Sequence, residues 1–315
     1  MPVLAVCGWS GSGKTTLIEG MLPRLLGRGL AVAVVKHDAH GVQVDRRGKD
    51  SDRLFRAGAD VLLRGPEQEF FRRHGRRTCL RAALGRLART HDLVLVEGHK
   101  GTPLPKLWLE SAEGPPPPDT DNILARLPAD DERLARALET ADRRMRQSRN
   151  STPLLACAVR TNEPRPGGTN ELPELVDNLA RFAALVVLPG PGPAPEGGKA
   201  LTVALPPGTT GTTGGVLTAV RWAPEAEWLI AAHSFENLLP DAFEWLLAFR
   251  EPGVWGVLPR SAGECGGWPA AFYLDLRGAV LLQNAVTCGD PPISALRRSE
   301  KVLTPDPPAG LPPGL

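Results

Sequence analysis

The run Val3–Cys7 ("VLAVC") is apolar at every position and breaks into "GWSGSGKTTL" at Gly8. A short, wholly apolar run that ends on glycine reads as a strand buried on both faces. The next segment, "KTTLIEGMLPRLLGRG", places Leu17, Met21, Leu22, Leu25 and Leu26 at helical spacing. Pro23 is expected to kink that helix, and Gly27 and Gly29 to end it. "LAVAVVKH", "DVLLRG" and "DLVLVEGH" read as three more buried strands. Between the last two, "FFRRHGRRTCLRAALGRLART" reads as a helix with Leu80, Leu84 and Leu87 on one face. "PKLWLE" and "NILARL" are further strands around a stiff loop, "EGPPPPDTDN". "ADDERLARALETADRRMRQ" follows as a helix with Leu134 and Leu138 inward. Strands alternating with helices in this way predict an α/β fold: a parallel sheet covered on both faces, in three layers.

The polar stretch "QSRNSTP" reads as a hinge between two domains, residues 1–146 and 152–303. Past it the alternation resumes. "PLLACAV", "ALVVLPG", "EWLIAA" and "VWGVLPR" read as strands; "ELPELVDNLARF", "GGVLTAVRWA" and "PDAFEWLLAF" read as helices. The second half is therefore also expected to be α/β and Rossmann-like. Residues 304–315 form a Pro-rich tail that is expected to be disordered.

Composition narrows the class without naming it. The chain has 315 residues, is 42% hydrophobic and 23% charged, and carries a net charge of only +2. That balance gives no electrostatic push toward nucleic acid or a membrane surface. Cys7, Cys79, Cys157, Cys265 and Cys288 are far apart and form no CxxC pair, which fits a reducing compartment. With no apolar span and no signal-peptide pattern, a cytoplasmic location is expected.

Gly8, Gly13, Lys14 and Thr15 satisfy G-x-x-x-x-G-K-[ST] between a strand and a helix. In such a loop the glycines let backbone N–H groups turn inward around phosphate oxygens. The lysine reaches the terminal phosphates, the threonine hydroxyl ligates Mg²⁺, and the helix aims its positive end at the anion. The loop needs an acidic partner for the metal. Glu97, at the end of an apolar run, fits best, because a carboxylate there is costly without a partner. Asp50 and Asp38 are the alternatives. "VKHD" at Val35–Asp38 comes too early in the chain for a guanine-reading N-K-x-D element, so the residues alone leave ATP and GTP open. His37 and His40 lack a supporting ligand set and read as polar loop residues. Arg72, Arg73, Arg76 and Arg77 read as the solvated face of a helix. Lys100 and Lys106 follow the Glu97 strand, on the edge where open α/β sheets bind ligands, and suggest a second anion contact.

Taken together, "CGWSGSGKTTLIEGMLPRLLGRG", "VVKHDAHG", "DRRGKDSDRLFRAGAD" and "LVLVEGHKGTPLPKL" resemble the molybdopterin-guanine dinucleotide biosynthesis adaptor family, MobB. The resemblance implies a P-loop GTP-binding protein, a homodimer, assisting a MobA-type nucleotidyltransferase that joins GMP to molybdopterin. It implies GTP and Mg²⁺ as ligands. Gly8, Ser10, Gly11, Ser12, Gly13, Lys14, Thr15, Thr16, Lys100 and Lys106 would line the nucleotide, and Thr15, Asp50 and Glu97 would stand at the metal. Lys14 and Glu97 would carry a weak hydrolysis. The family's histidine-rich turn is only partly kept, because Asp38 and Ala39 interrupt it.

The segment "GGVLTAVRWAPEAEWLIAAHSFENLLPDAFEWLLAFREPGVWGVLPR" resembles the middle of a MobA-type transferase. The residues that would carry its chemistry are missing. "RTNEPRPGGTNE" has no glycine turn beside its strand and no lysine, and Ser234 stands where a metal-binding aspartate belongs. Glu236 and Asp241 lie off that position. A serine cannot supply the charge Mg²⁺ needs beside a triphosphate. The second half thus reads as a degenerate transferase scaffold fused to the adaptor. Three rival readings stay open: an active bifunctional enzyme, a P-loop kinase for a small metabolite, and an interaction module that never turns over nucleotide.

Overall fold

A computed structural model describes residues 1–36, 45–74, 79–159, 172–196, 198–231, 238, 240–260 and 267–311. The first half runs β1 (Val3–Gly8), α1 (Lys14–Leu26), β2 (Val32–Lys36), α2 (Asp50–Arg56), β3 (Val61–Arg64), β4 (Glu69–Arg72), α3 (Leu80–Ala88), β5 (Leu93–Glu97), β6 (Lys106–Leu109), β7 (Ile123–Leu127) and α4 (Arg133–Asn150). Five of these strands form one all-parallel sheet in the order β2-β5-β1-β6-β7. The strand pleat sends alternate side chains to opposite faces. Leu4, Val6, Leu93 and Leu95 pack with Leu17, Met21 and Leu25 of α1 and Ala137 and Ala141 of α4. Val3, Ala5, Cys7, Val94 and Val96 pack on the other face with Leu84 of α3 and Trp108. That is the three-layer α/β arrangement expected of this half.

Three details differ from the sequence reading. The "DVLLRG" strand, β3, is not in the main sheet. It pairs antiparallel with β4 in a separate hairpin, and Leu62, Leu63 and Phe71 are exposed there. Glu69–Arg72 ("EFFR") is therefore strand, and helix begins only at Leu80. On α1, Leu26 faces solvent and Ile18 takes its place in the core; the helix runs through Pro23 to Leu26.

The second half runs β8 (Leu154–Ala158), α5 (Leu172–Leu179), β9 (Val186–Pro189), β10 (Ala200–Val203), α6 (Gly211–Trp222), β11 (Glu227–Ala231), α7 (Pro240–Ala248), β12 (Gly256–Val257), β13 (Ala271–Leu274), α8 (Leu276–Cys288), α9 (Pro292–Arg297) and β14 (Val302–Leu303). Its sheet has the order β10-β9-β8-β11-β13-β12-β14, with β13 antiparallel to both neighbours. Helices again cover both faces. Residues 160–171 and 232–237, the latter with Ser234 and Glu236, lie outside the described residues, as does Cys265. Asp241 is exposed in the first turn of α7. The tail is ordered further than expected: Arg260 N donates to the Pro305 carbonyl at 3.0 Å, and Leu311 packs on the core.

The expected polar hinge is instead the last turn of α4, and its Arg149 is buried. Arg149 enters a charged junction between the halves. Its Nη2 donates to the Val254 carbonyl at 3.1 Å, and its Nε lies 3.6 Å from Glu227. Glu227 also accepts from Tyr273 Oη at 2.8 Å and from Arg250. Beside them Asp275 caps α8, accepting from the Arg277 and Gly278 backbone N–H groups and from Arg277 Nε at 2.8 Å. Arg277 reaches across to Asp92 at 3.4 Å and to the His91 carbonyl at 3.2 Å, while Trp255 Nε1 donates to Asp92 at 2.8 Å. Gly278 is obligatory in this junction: a Cβ there would sit 2.1 Å from the Trp255 carbonyl oxygen.

Burial, the largest influence on the Asp275 carboxyl, raises its pKa above the ordinary value, and Arg277 opposes that shift. Removing one partner from a buried pair strands the other without water. Asp275→Ala is therefore expected to lower unfolding free energy by about 3–5 kcal/mol, because it deletes both an ion-pair partner and a helix cap. Urea unfolding of the full chain followed by tryptophan fluorescence measures this.

Candidate functional site

β1 ends at Gly8 and α1 begins at Lys14, so Gly8–Gly13 form the loop between a central strand and a helix N-terminus. Gly8 (φ 153°), Gly11 (φ 72°) and Gly13 (φ 86°) take backbone conformations that suit glycine. A Cβ on Gly8 would stand 2.5 Å from Ser12 Oγ and 2.9 Å from the Leu109 carbonyl oxygen. Gly13 caps α1 without any side chain, so the first N–H groups of the helix are left to an incoming acceptor. Ser12 is buried, yet its Oγ has no hydrogen-bond partner. The loop thus leaves a buried hydroxyl without a partner beside helix N–H groups that no side chain caps.

Lys14 folds back over this loop, its Nζ donating to the Trp9 carbonyl at 2.6 Å and the Gly8 carbonyl at 3.2 Å. Thr15 Oγ1 donates to Glu97 Oε1 at 3.0 Å. β5 lies directly beside β1, which is how Glu97, at the C-terminal end of β5, meets the first turn of α1. Lys36 on β2 lies 3.3 Å from the same carboxylate oxygen. Ser10, Gly11 and Thr16 are exposed along the loop and first turn. Lys100 stacks its ammonium over the Trp9 ring at 4.3 Å, and Trp9 Nε1 is fixed by the Gly114 carbonyl at 3.0 Å. Cys7 lies under the loop and donates to the Gly98 carbonyl at 2.9 Å; burial, its largest influence, pushes the thiol up to about 11. It is therefore a packing group rather than a nucleophile.

The structure thus brings Gly8–Thr15, Lys14 and Glu97 together and separates two other predicted residues from them. Lys106 does not offer its charge to the ligand edge. It is fully buried, and its Nζ donates to the carbonyls of Thr102, Leu104 (2.9 Å) and Asp121 (2.8 Å), bracing the bends that flank β6. Desolvation, the leading influence, lowers its pKa. Asp50 sits exposed at the start of α2, 3.8 Å from Arg53. The buried carboxylate of that motif is Asp52, which accepts from Gly48 N at 2.9 Å, Arg56 and Arg72. These bonds, the Gly48 N–H foremost, hold its carboxyl well below the usual range. Arg72 is no helix-surface residue. It bridges Asp52 and Asp45 from β4 and lies 3.8 Å over the Phe55 ring. His37, Asp38, His40, Arg76 and Arg77 lie outside the described residues.

Sequence reasoning missed Lys36 and Asp52. Only Asp52 left a local signal, an Asp–Arg pair at helical spacing. Among the described residues no group of three or more His, Cys, Asp or Glu could hold a metal unaided.

Fold and loop together define an α/β protein of the P-loop class. The family model "Molybdopterin guanine dinucleotide synthesis protein B" (MobB) matches residues 3–126. The chain is 40% identical over 131 residues to the molybdopterin-guanine dinucleotide biosynthesis adapter protein of Haemophilus influenzae, covering 39% of this chain and 72% of that protein. It belongs, through this N-terminal region, to the MobB adapter family. A solved mobB structure overlays 46% of the chain and 99% of its own length at 29% identity and TM-score 0.38. The molybdopterin-guanine dinucleotide biosynthesis protein A of Archaeoglobus fulgidus overlays 49% of the chain at 16% identity and TM-score 0.36.

The Lys106 geometry yields a specific expectation. Lys106→Met leaves its carbonyls without a donor and should cost about 2–4 kcal/mol of stability. Nucleotide affinity measured by calorimetry well below the melting point should change by less than about threefold, since less than 1 kcal/mol of binding is at stake.

Proposed function

We propose that the chain is a GTP-binding accessory protein of molybdopterin guanine dinucleotide biosynthesis, acting beside a MobA-type nucleotidyltransferase that attaches GMP to molybdopterin. The observation that carries this reading is the contact of Thr15 Oγ1 with Glu97 at the mouth of a glycine cradle that holds an orphaned Ser12 hydroxyl. The N–H groups of Gly11 and Gly13–Thr16 would receive the phosphates, and Lys14 would swing from its loop carbonyls to the terminal phosphates. Thr15 and Glu97 would hold Mg²⁺, which when bound supplies positive charge at those phosphates. Lys100, already parked on Trp9, would add a further positive charge at the rim.

Hydrolysis in this reading is slow. Glu97 is shared between Thr15 and Lys36, so it is not a free base for water. For the second half we keep the reading of a transferase-like scaffold without GMP transfer, because Ser234 and the lysine-free "RTNEPRPGGTNE" lack the needed charges. Among the described residues no helix is long and apolar enough to cross a membrane. A homodimer finds support in the β3–β4 hairpin, whose Leu62 and Phe71 are exposed on a two-stranded sheet that is marginal alone.

Calorimetry with non-hydrolysable GTP and ATP analogues and Mg²⁺ tests the reading. One GTP analogue per chain is expected, lost with Lys14→Ala and weakened about tenfold or more by Glu97→Gln. An ATP preference would move the small-metabolite kinase to the front. Two nucleotides per chain, one surviving Lys14→Ala, would restore the bifunctional enzyme. For the dimer, Leu62→Glu with Phe71→Glu is expected to shift sedimentation from two chains to one while leaving the melting temperature of the main sheets within a few degrees.

A further inference from the structure

Arg133, the first residue of α4, makes contacts that no motif anticipates. Its Nη1 donates to the Ser12 carbonyl at 3.2 Å, its Nη2 to the Glu110 carbonyl at 3.0 Å and the Leu127 carbonyl at 3.1 Å, and its Nε to the Pro128 carbonyl at 2.5 Å. One planar group thus ties the phosphate loop to the chain leaving β6 and the chain leaving β7. We infer that Arg133 is a positioning residue of the phosphate cradle, an inference that rests on the nucleotide-binding reading above.

The peptide plane between Ser12 and Gly13 sets where the donor points. In a trans peptide the C=O and the N–H point in opposite directions. The carbonyl of Ser12 and the N–H of Gly13 belong to the same plane. Holding that carbonyl outward on Arg133 turns the Gly13 N–H the other way, into the loop. Gly13 is at φ 86°, and Arg133 Nη1 lies 3.8 Å from where its Cβ would be. The rest of the loop is held from the other end, by Ser12 N on the Trp9 carbonyl at 3.3 Å and by Lys14 on the carbonyls of Gly8 and Trp9. Lys14 must let go of its carbonyls to reach phosphate; Arg133 need not, because it acts by holding the Ser12 carbonyl and not by touching the ligand. It can keep the donors aimed both before and after the ligand enters, which is the preorganisation that raises affinity without a direct contact.

The geometry requires a guanidinium. Its rigid fork of N–H donors satisfies acceptors on three segments at once, whereas a lysine ammonium on a flexible stem is a point charge. Arg133→Lys keeps the charge and loses the bridge, so it separates positioning from long-range electrostatics.

The test measures binding of Mg²⁺ with a non-hydrolysable GTP analogue, and of inorganic tripolyphosphate, to the full chain. Arg133→Lys and Arg133→Ala are each expected to raise Kd about tenfold or more for both ligands alike, because the loss lies in the cradle. Millimolar guanidinium or methylguanidinium is expected to recover much of the affinity of Arg133→Ala and none of Lys14→Ala. A purely structural role would lower the melting temperature without that rescue. Affinity of Arg133→Lys within about twofold of wild type would overturn the inference, as would a loss for the nucleotide but not for tripolyphosphate. Should the wild-type chain bind neither ligand, the nucleotide-binding reading fails and takes this inference with it; wild-type binding with unaffected variants removes only the role of Arg133.

Discussion

Asp92 and Arg277 come from opposite halves of the chain and meet where almost no water reaches them. Neither charge is tolerable there alone, since removing water from an unpaired ion costs several kcal/mol. Each is therefore surrounded: Asp92 by Trp255 Nε1 and the Ala31 N–H, Arg277 by Asp275 and the His91 carbonyl. The pairing is directional, and it works only if α8 approaches the Trp255 carbonyl at the distance that Gly278 allows. The two sheets are consequently held in register by polar geometry, where an apolar seam of the same size would tolerate sliding.

From that junction two rigid elements run toward the phosphate loop. β5 begins one residue after Asp92 and ends at Glu97, the acid that meets Thr15. α4 begins at Arg133, on the Ser12 carbonyl, and carries Arg149 into the junction, roughly 24 Å away at the helical rise per residue. The second half therefore does not hang from a linker. It grips the far ends of the same strand and helix whose near ends shape the cradle.

How much of this was legible in the sequence depends on where the determining partners lie. The main parallel sheet was, because its strands are apolar at nearly every position and a buried strand imprints that locally. The hairpin was not. "EFFR" carries no period that separates strand from helix, and pairing with "VLLR" decides the matter. The antiparallel β13 left no mark either, since strand direction is a property of the whole sheet. In the site, Lys14 and Thr15 could be found from the motif, and Glu97 from the cost of leaving a carboxylate unpartnered at the end of an apolar strand. Lys106 misled for the opposite reason. A lysine after a strand suggests free charge, but three carbonyls from bends at Thr102, Leu104 and Asp121 enclose it.

The same contrast explains why the two lysines of "EGHKGTPLPKL" part company. Lys106 spends its donors on backbone that water cannot reach, so its charge is consumed in holding β6 in place. Lys100 spends nothing comparable: an ammonium over the exposed face of Trp9 gains on the order of 1 kcal/mol, which a phosphate can outbid. Trp9 is in turn pinned by the Gly114 carbonyl and edges onto the buried Trp108 ring at 6.0 Å. The aromatic platform is fixed and the cation upon it is loose. A rigid loop with its movable charges, Lys14 and Lys100, held on neutral partners is what the proposed phosphate binding would need in order to proceed with little reorganisation of the backbone.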